Sequence, residues 1–194
     1  MTNRWEIEYK AGRWAYLQGL QETARNGVVA AYLRHAMPAG TLLDVGCGEG
    51  VLARHLDRAQ ATRYVGVDIA QAALDNAGLG KGGLDPAWAR LVCSPLEDFS
   101  PVSGERYAAI VFNEVLFFTD APGAMLERYR GWLAPDGIVV VSMYRTPRET
   151  SGARRSLEAV WAALDGPGWQ ALDESRLTNV TKDLTWHVRL VRTV

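Results

Sequence analysis

Cysteine is nearly absent from this 194-residue chain, which has only Cys47 and Cys93. Two thiols without metal-type spacing exclude a disulfide framework or a cysteine-built zinc site, and fit a reducing, cytoplasmic setting. Histidine is as sparse. His35, His55 and His187 fall in separate segments and form no constellation for metal binding or general-base relay. No apolar run approaches the ~20 residues a bilayer span requires, and residues 1–10 mix charges with aromatics, so neither a membrane partner nor export is expected. Charge of one sign is missing too: the net charge is -1, with no basic stripe to attract nucleic acid. What is present is ordinary for one soluble globular domain, 48% hydrophobic and 22% charged.

Against that background one stretch stands out. Thr41 to Val45 is an apolar run that ends in Gly46-Cys47-Gly48-Glu49-Gly50, and Val51 to Leu56 resumes with helical character. This reads as strand, tight turn and helix, the glycines allowing backbone to approach a ligand closely. A second apolar run, Tyr64 to Val67, ends in Asp68, 22 positions after Gly46. A carboxylate there can accept both hydroxyls of a ribose. The spacing departs from the dinucleotide pattern, because Val51 stands where a third glycine would be and Glu49 puts negative charge in the turn. An adenosine ligand with a cationic portion suits Asp44 and Glu49 better than a pyrophosphate does.

Strand-like runs near 41–46, 63–68, 88–93, 107–113 and 137–144 alternate with helical patterns near 50–59, 70–78 and 121–133. That alternation predicts a doubly wound, mostly parallel α/β sheet with helices on both faces. Gly78 to Pro86 reads as a surface loop, Glu149 to Leu164 as a helix, and Trp169–Leu177 with Leu184–Val194 as a terminal antiparallel hairpin, giving seven strands in one domain. Residues 1–36 are expected to form a helical lid or cap segment before a core over 37–194.

Leu43-Asp44-Val45-Gly46-Cys47-Gly48-Glu49-Gly50 resembles motif I of class I S-adenosylmethionine-dependent methyltransferases, and Val65-Gly66-Val67-Asp68-Ile69 resembles the acidic motif that follows it. Tyr107–Leu116 and Leu133–Val141 are similar to the family's fourth strand and its approach to the fifth. The resemblance covers roughly 41–144, and within the family the chain resembles the nodulation N-methyltransferase-like subset. It implies a Rossmann-like fold, S-adenosylmethionine as donor, S-adenosylhomocysteine as product, no metal, and a small-molecule acceptor methylated at nitrogen or oxygen. It implies that Asp44, Gly46, Gly48, Gly50, Asp68, Ile69, Ser94, Leu96 and Asn113 bind the donor. Glu114 and Tyr144 are the expected catalytic groups, Glu114 lying near the sulfonium.

On the acceptor side the expected residues are Trp5, Tyr9 and Trp14 from an aromatic lid, the pair Phe117 and Phe118, and Arg145 after the fifth strand. Relatives often carry a histidine where this chain has Phe118, so a histidine base there is excluded. Arg148, Arg154 and Arg155 offer a possible attraction for an anionic acceptor, against the plainer role of a solvated helix face. Three other readings stay open: a protein that binds S-adenosylmethionine without methylating, a protein or nucleic-acid methyltransferase, and a nicotinamide enzyme. The first needs an acceptor screen to exclude, the second lacks the Asn-Pro-Pro-Tyr signature of adenine methylation, and the third is disfavoured by Glu49 and Val51.

Overall fold

The computed structural model describes residues 3–80, 83–148 and 150–194. Part of the expected 78–86 loop, at 81 and 82, and the expected helix start at Glu149 lie outside those residues. The elements run α1 (Arg4–Lys10), α2 (Leu20–Ala36), β1 (Gly40–Val45), β2 (Ala61–Asp68), α3 (Gln71–Ala77), β3 (Ala89–Cys93), β4 (Tyr107–Asn113), α4 (Pro122–Arg130), β5 (Leu133–Tyr144), α5 (Gly152–Leu164), β6 (Trp169–Asn179) and β7 (Leu184–Thr193). Three short 3₁₀ turns, at Ala15–Gln18, Leu52–His55 and Leu116–Phe118, complete them.

Seven strands form one sheet in the order β3-β2-β1-β4-β5-β7-β6. The first five are parallel, and β7 is antiparallel to both neighbours. The central strands are continuous apolar runs because helices cover both faces; Leu42, Leu43, Val45, Ala109, Ile110 and Val111 are all fully buried. On one face α2 and α3 pack Val29, Leu33, Leu74 and Ala77 against Leu42, Val111, Val140 and Val188. On the other, α4 and α5 pack Leu126, Tyr129, Val160 and Leu164 against Ile110, Phe112, Val141 and Val191. Strand order reverses between β1 and β4, which opens a crevice at their carboxyl ends, the usual ligand position in a doubly wound sheet.

Three expectations change. The helix expected over 50–59 shrinks to the single turn Leu52–His55. Asp57 ends it: its carboxylate accepts from Ala59 N at 2.9 Å, a local Asx turn that competes with helix. The expected 1–36 cap divides. α1 and the turn after it lie over the crevice, whereas α2 lends it Glu22, Arg25 and Asn26 and buries Val29 and Leu33 in the main core. Finally β5 begins at Leu133 rather than 137, passing Asp136 at φ 60° before it joins the parallel register at Ile138.

Candidate active site

Gly46, Gly48 and Gly50 all hold positive φ, 70°, 52° and 66°. At Gly46 the requirement is also steric, since an added Cβ would lie 2.8 Å from Val115 Cβ and closer still to one of its methyls. The turn is fastened to Asp68 at the end of β2. One carboxylate oxygen accepts from Gly48 N and the other from Ala70 N, both at 2.9 Å. Each carboxylate oxygen keeps a lone pair free beyond these two bonds. Burial raises the Asp68 pKa, and the two amides work against that rise.

Asp44, on β1, is fully buried at 1% exposure. Tyr64 Oη donates to one of its oxygens at 2.7 Å, while Oδ1 has no partner among the described residues. Burial pushes the carboxyl up to about 7. An unpaired buried carboxylate oxygen costs free energy unless a donor meets it, and Asp44 Oδ1 leaves such an acceptor position open beside the glycine turn.

Asn113 ends β4 and meets α2. Its Oδ1 accepts from Arg25 Nη1, and its Nδ2 donates to Asn26 Oδ1 at 3.1 Å. Arg25 is buried and also donates from Nε and Nη2 to Glu22 Oε2 at 3.1 and 2.8 Å. Glu22, Arg25 and Asn26 escape a sequence reading because polar residues three and four apart read as a solvated stripe; that stripe shares a face with Val29 and Leu33, which was the available signal. Glu114 follows Asn113 at φ 64°, a conformation rare outside glycine. Its carboxylate accepts from Ser142 Oγ at 3.1 Å and from Tyr144 N at 2.9 Å. Burial raises its pKa to about 7, with the Arg25 charge acting the other way.

α1 closes over this crevice. Asn3 caps it by accepting from Glu6 N at 2.7 Å, and donates to Ile69 O at 3.1 Å. Glu6 accepts from Ala72 N at 2.9 Å, capping α3 in turn. That amide, with Lys10, holds the Glu6 carboxyl below its usual range. Tyr9 places its hydroxyl against Gly48, and Trp5 meets Phe118 edge-on with ring centroids 4.5 Å apart. Trp14 lies 5.5 Å from Trp5 and 5.9 Å from Tyr9, so the lid is a connected aromatic cluster.

These groups enclose one cavity of about 650 Å³. Every expected site residue lines it except two. Gly50 lies behind the turn, facing Leu84, and Arg145 pairs its backbone N with Thr185 O at 2.7 Å beyond the wall. Arg148, Arg154 and Arg155 also stay outside the lining. The cavity adds residues the sequence did not single out, chiefly Glu22, Arg25, Asn26 and Trp186.

The strand order, the positive-φ glycine turn and the carboxylate fixed beneath it are those of class I S-adenosylmethionine-dependent methyltransferases. A methyltransferase-domain profile matches residues 16–185, and the chain belongs to that family. The ubiquinone biosynthesis O-methyltransferase of Neisseria meningitidis serogroup C is 29% identical over 101 residues, 52% of this chain and 42% of that protein. The chain thus aligns with under half the length of that curated relative. Among solved structures, the N-methyltransferase NodS from Bradyrhizobium japonicum WM9, in complex with S-adenosylhomocysteine, superimposes with a TM-score of 0.76 at 18% identity, covering 93% of this chain and 91% of that one. The 1,6-didemethyltoxoflavin-N1-methyltransferase of Burkholderia thailandensis gives a TM-score of 0.70 at 20% identity, covering 97% and 84%. At those identities the likeness concerns the fold. No helix among the described residues is long and apolar enough to cross a membrane.

Proposed function

We propose that the protein transfers a methyl group from S-adenosylmethionine to a nitrogen or oxygen of a small-molecule acceptor. The observation that carries the reading is the pairing, across one glycine turn, of an Asp68 carboxylate oriented by two backbone amides with an Asp44 oxygen that has no partner among the described residues. Asp68 accepts the ribose hydroxyls, Ile69 covers the adenine, and Ser94 with Leu96 reads its edge. The turn at Gly46 and Gly48 passes beneath the ligand. Asp44 and Asn113 face the cationic methionine end, and Arg25, beside Asn113, is placed to meet its carboxylate. The donor supplies a methyl group on a positively charged sulfur.

The chain's own part is orientation and exclusion of water. Trp5, Tyr9, Trp14, Phe117 and Phe118 close the acceptor half, so that a bound nucleophile meets the methyl in line; such positioning is worth on the order of 7–11 kcal/mol in well-oriented reactions. Glu114 and Tyr144, joined through the Tyr144 amide at 2.9 Å, stand at the junction of the two halves, where they can accept a proton or orient the acceptor.

Isothermal titration of S-adenosylmethionine into wild type and Asp68→Ala tests the donor half. Two lost charge-assisted bonds, about 1.5–3 kcal/mol each, predict a weakening of at least ~100-fold. Binding within threefold of wild type refutes the assignment of Asp68. Release of S-adenosylhomocysteine in an acceptor screen then distinguishes a transferase from a passive binder.

A further inference from the structure

Six carboxyl groups line the cavity, those of Glu22, Asp44, Glu49, Asp68, Glu97 and Glu114, against one guanidinium, Arg25. Their sites differ in how that charge is met. Glu22 is paired with Arg25 at 2.8 Å. Glu49 accepts from the neutral amides of Gln18 and Asn76 through solvent-exposed bonds, and Glu97 is exposed to water, so solvent screens both. Asp68 and Asp44 face the donor under the reading above, and the donor's sulfonium and ammonium against its one carboxylate add a single net positive charge. Glu114 differs from Glu49 and Glu97 in burial, its hydrogen bonds being partly withdrawn from solvent. Its hydrogen-bond partners, Ser142 Oγ and the Tyr144 amide, are neutral, and no cation lies within salt-bridge distance of it among the described residues. Near it are Arg25 and Glu22 from α2, whose charges cancel, and Tyr16 from the turn before α2, and the same cavity is lined by the aromatic side chains of Trp5, Trp14, Phe117, Phe118 and Trp186.

A carboxylate without a counter-charge, set among π faces, is a receptor for a cation on an apolar body, because each aromatic face adds its own attraction for positive charge. The basic residues that would favour an anion, Arg145, Arg148, Arg154 and Arg155, lie outside the lining. We propose that the acceptor is an amine carried on an apolar, ring-sized body, that it enters as its ammonium form facing the Glu114 carboxylate, and that it gives one proton to that carboxylate before the free amine nitrogen takes the methyl and leaves the donor as a neutral thioether. This rests on the donor reading above and narrows its nitrogen-or-oxygen choice to nitrogen. At φ 64° Glu114 reaches across to the end of β5, where Ser142 and Tyr144 hold its carboxylate.

The test uses the intact protein saturated with S-adenosylhomocysteine, so that the donor's own ammonium is already in place. Titration of S-adenosylmethionine alone comes first; if it does not bind, the donor reading fails. Three probes sharing one ring, 2-phenylethylamine, 2-phenylethanol and 3-phenylpropionate, are then titrated at pH 7. The ammonium is expected to bind about tenfold more tightly than the alcohol, with the carboxylate weakest. Glu114→Gln is expected to bring the ammonium and alcohol within threefold of each other. A second readout is proton release: burial pushes the Glu114 carboxyl up to about 7, so ammonium binding at pH 7 should expel more proton from wild type than from the variant. If the ammonium gains nothing over the other two, including the case in which none of the three binds, or if the carboxylate binds best, the proposal is wrong while the donor reading stands. If Glu114→Gln loses S-adenosylhomocysteine binding, the wild-type probe series and proton count decide alone.

Discussion

Arg25 is the strongest lever on the coupling between α2 and the sheet. Its side chain is 4% exposed, it donates twice to Glu22, itself 6% exposed, and it reaches across to Asn113 at the end of β4. Arg25→Met keeps much of the volume but leaves the Glu22 carboxylate buried without its cation. Breaking a buried pair from one side costs about 3–5 kcal/mol. For a chain of this size each kcal/mol moves the melting point by roughly 2–4 °C, so the variant should melt about 6–20 °C below wild type. Replacing both partners, as Glu22→Leu with Arg25→Met, removes the stranded charge and should recover most of that loss. Urea denaturation of wild type, both single variants and the double variant closes the cycle. The reasoning is refuted if Arg25→Met loses under ~1 kcal/mol, or if the double variant is no more stable than the single.

Gly46→Ala should cost about 2–5 kcal/mol, combining left-handed strain with the collision against Val115, and it should abolish donor binding even where the protein still folds; a variant with wild-type urea midpoint would show that the turn has freedom the structure does not display. The pH dependence has an unusual sign. Glu114, ordinarily titrating near 4.5, is raised to about 7 in the folded state, and Asp44 is raised likewise, so between those pH values the native protein holds protons the unfolded chain has released, and stability falls as pH rises. His187, whose burial lowers its pKa, acts oppositely near neutrality but is common to wild type and variant. Glu114→Gln should therefore shrink the drop in urea midpoint between pH 5.5 and pH 8; an unchanged drop would place the titration elsewhere.

Much of the sheet was legible because its central strands obey simple rules. β4 is an unbroken apolar run from Tyr107 to Phe112, as expected for a parallel strand covered on both faces, and the Gly46 turn declares itself by residue type. What escaped is what depends on distant partners. The helix after the turn fails at Asp57 because a side chain captures a backbone amide two residues on, which periodicity does not register. α1 carried a readable sign, Asn3 three positions before Glu6, an N-cap followed by an acidic residue of the capping-box kind. Glu22 and Arg25 show their meaning only through Asn113, 88 positions from Arg25 along the chain. Arg145, expected on the acceptor side from its place after β5, pairs its backbone N with Thr185 O of β7 and is absent from the cavity lining.

The antiparallel β7, lying between β5 and β6, bears on how the molecule comes into being. A chain emerging in order completes β1 to β5 and still lacks the strand that covers the flank of β5 and brings Val188, Leu190 and Trp186 to the α2 side. Until β7 arrives, β5 is an exposed apolar sheet edge, the kind of surface that recruits other chains. Trp186, which lines the cavity and stacks beneath Arg25, arrives with it. Folding is thus held open to the last strand by long-range pairing, and a nascent chain stalled before Leu184 has neither a finished sheet nor a finished cavity.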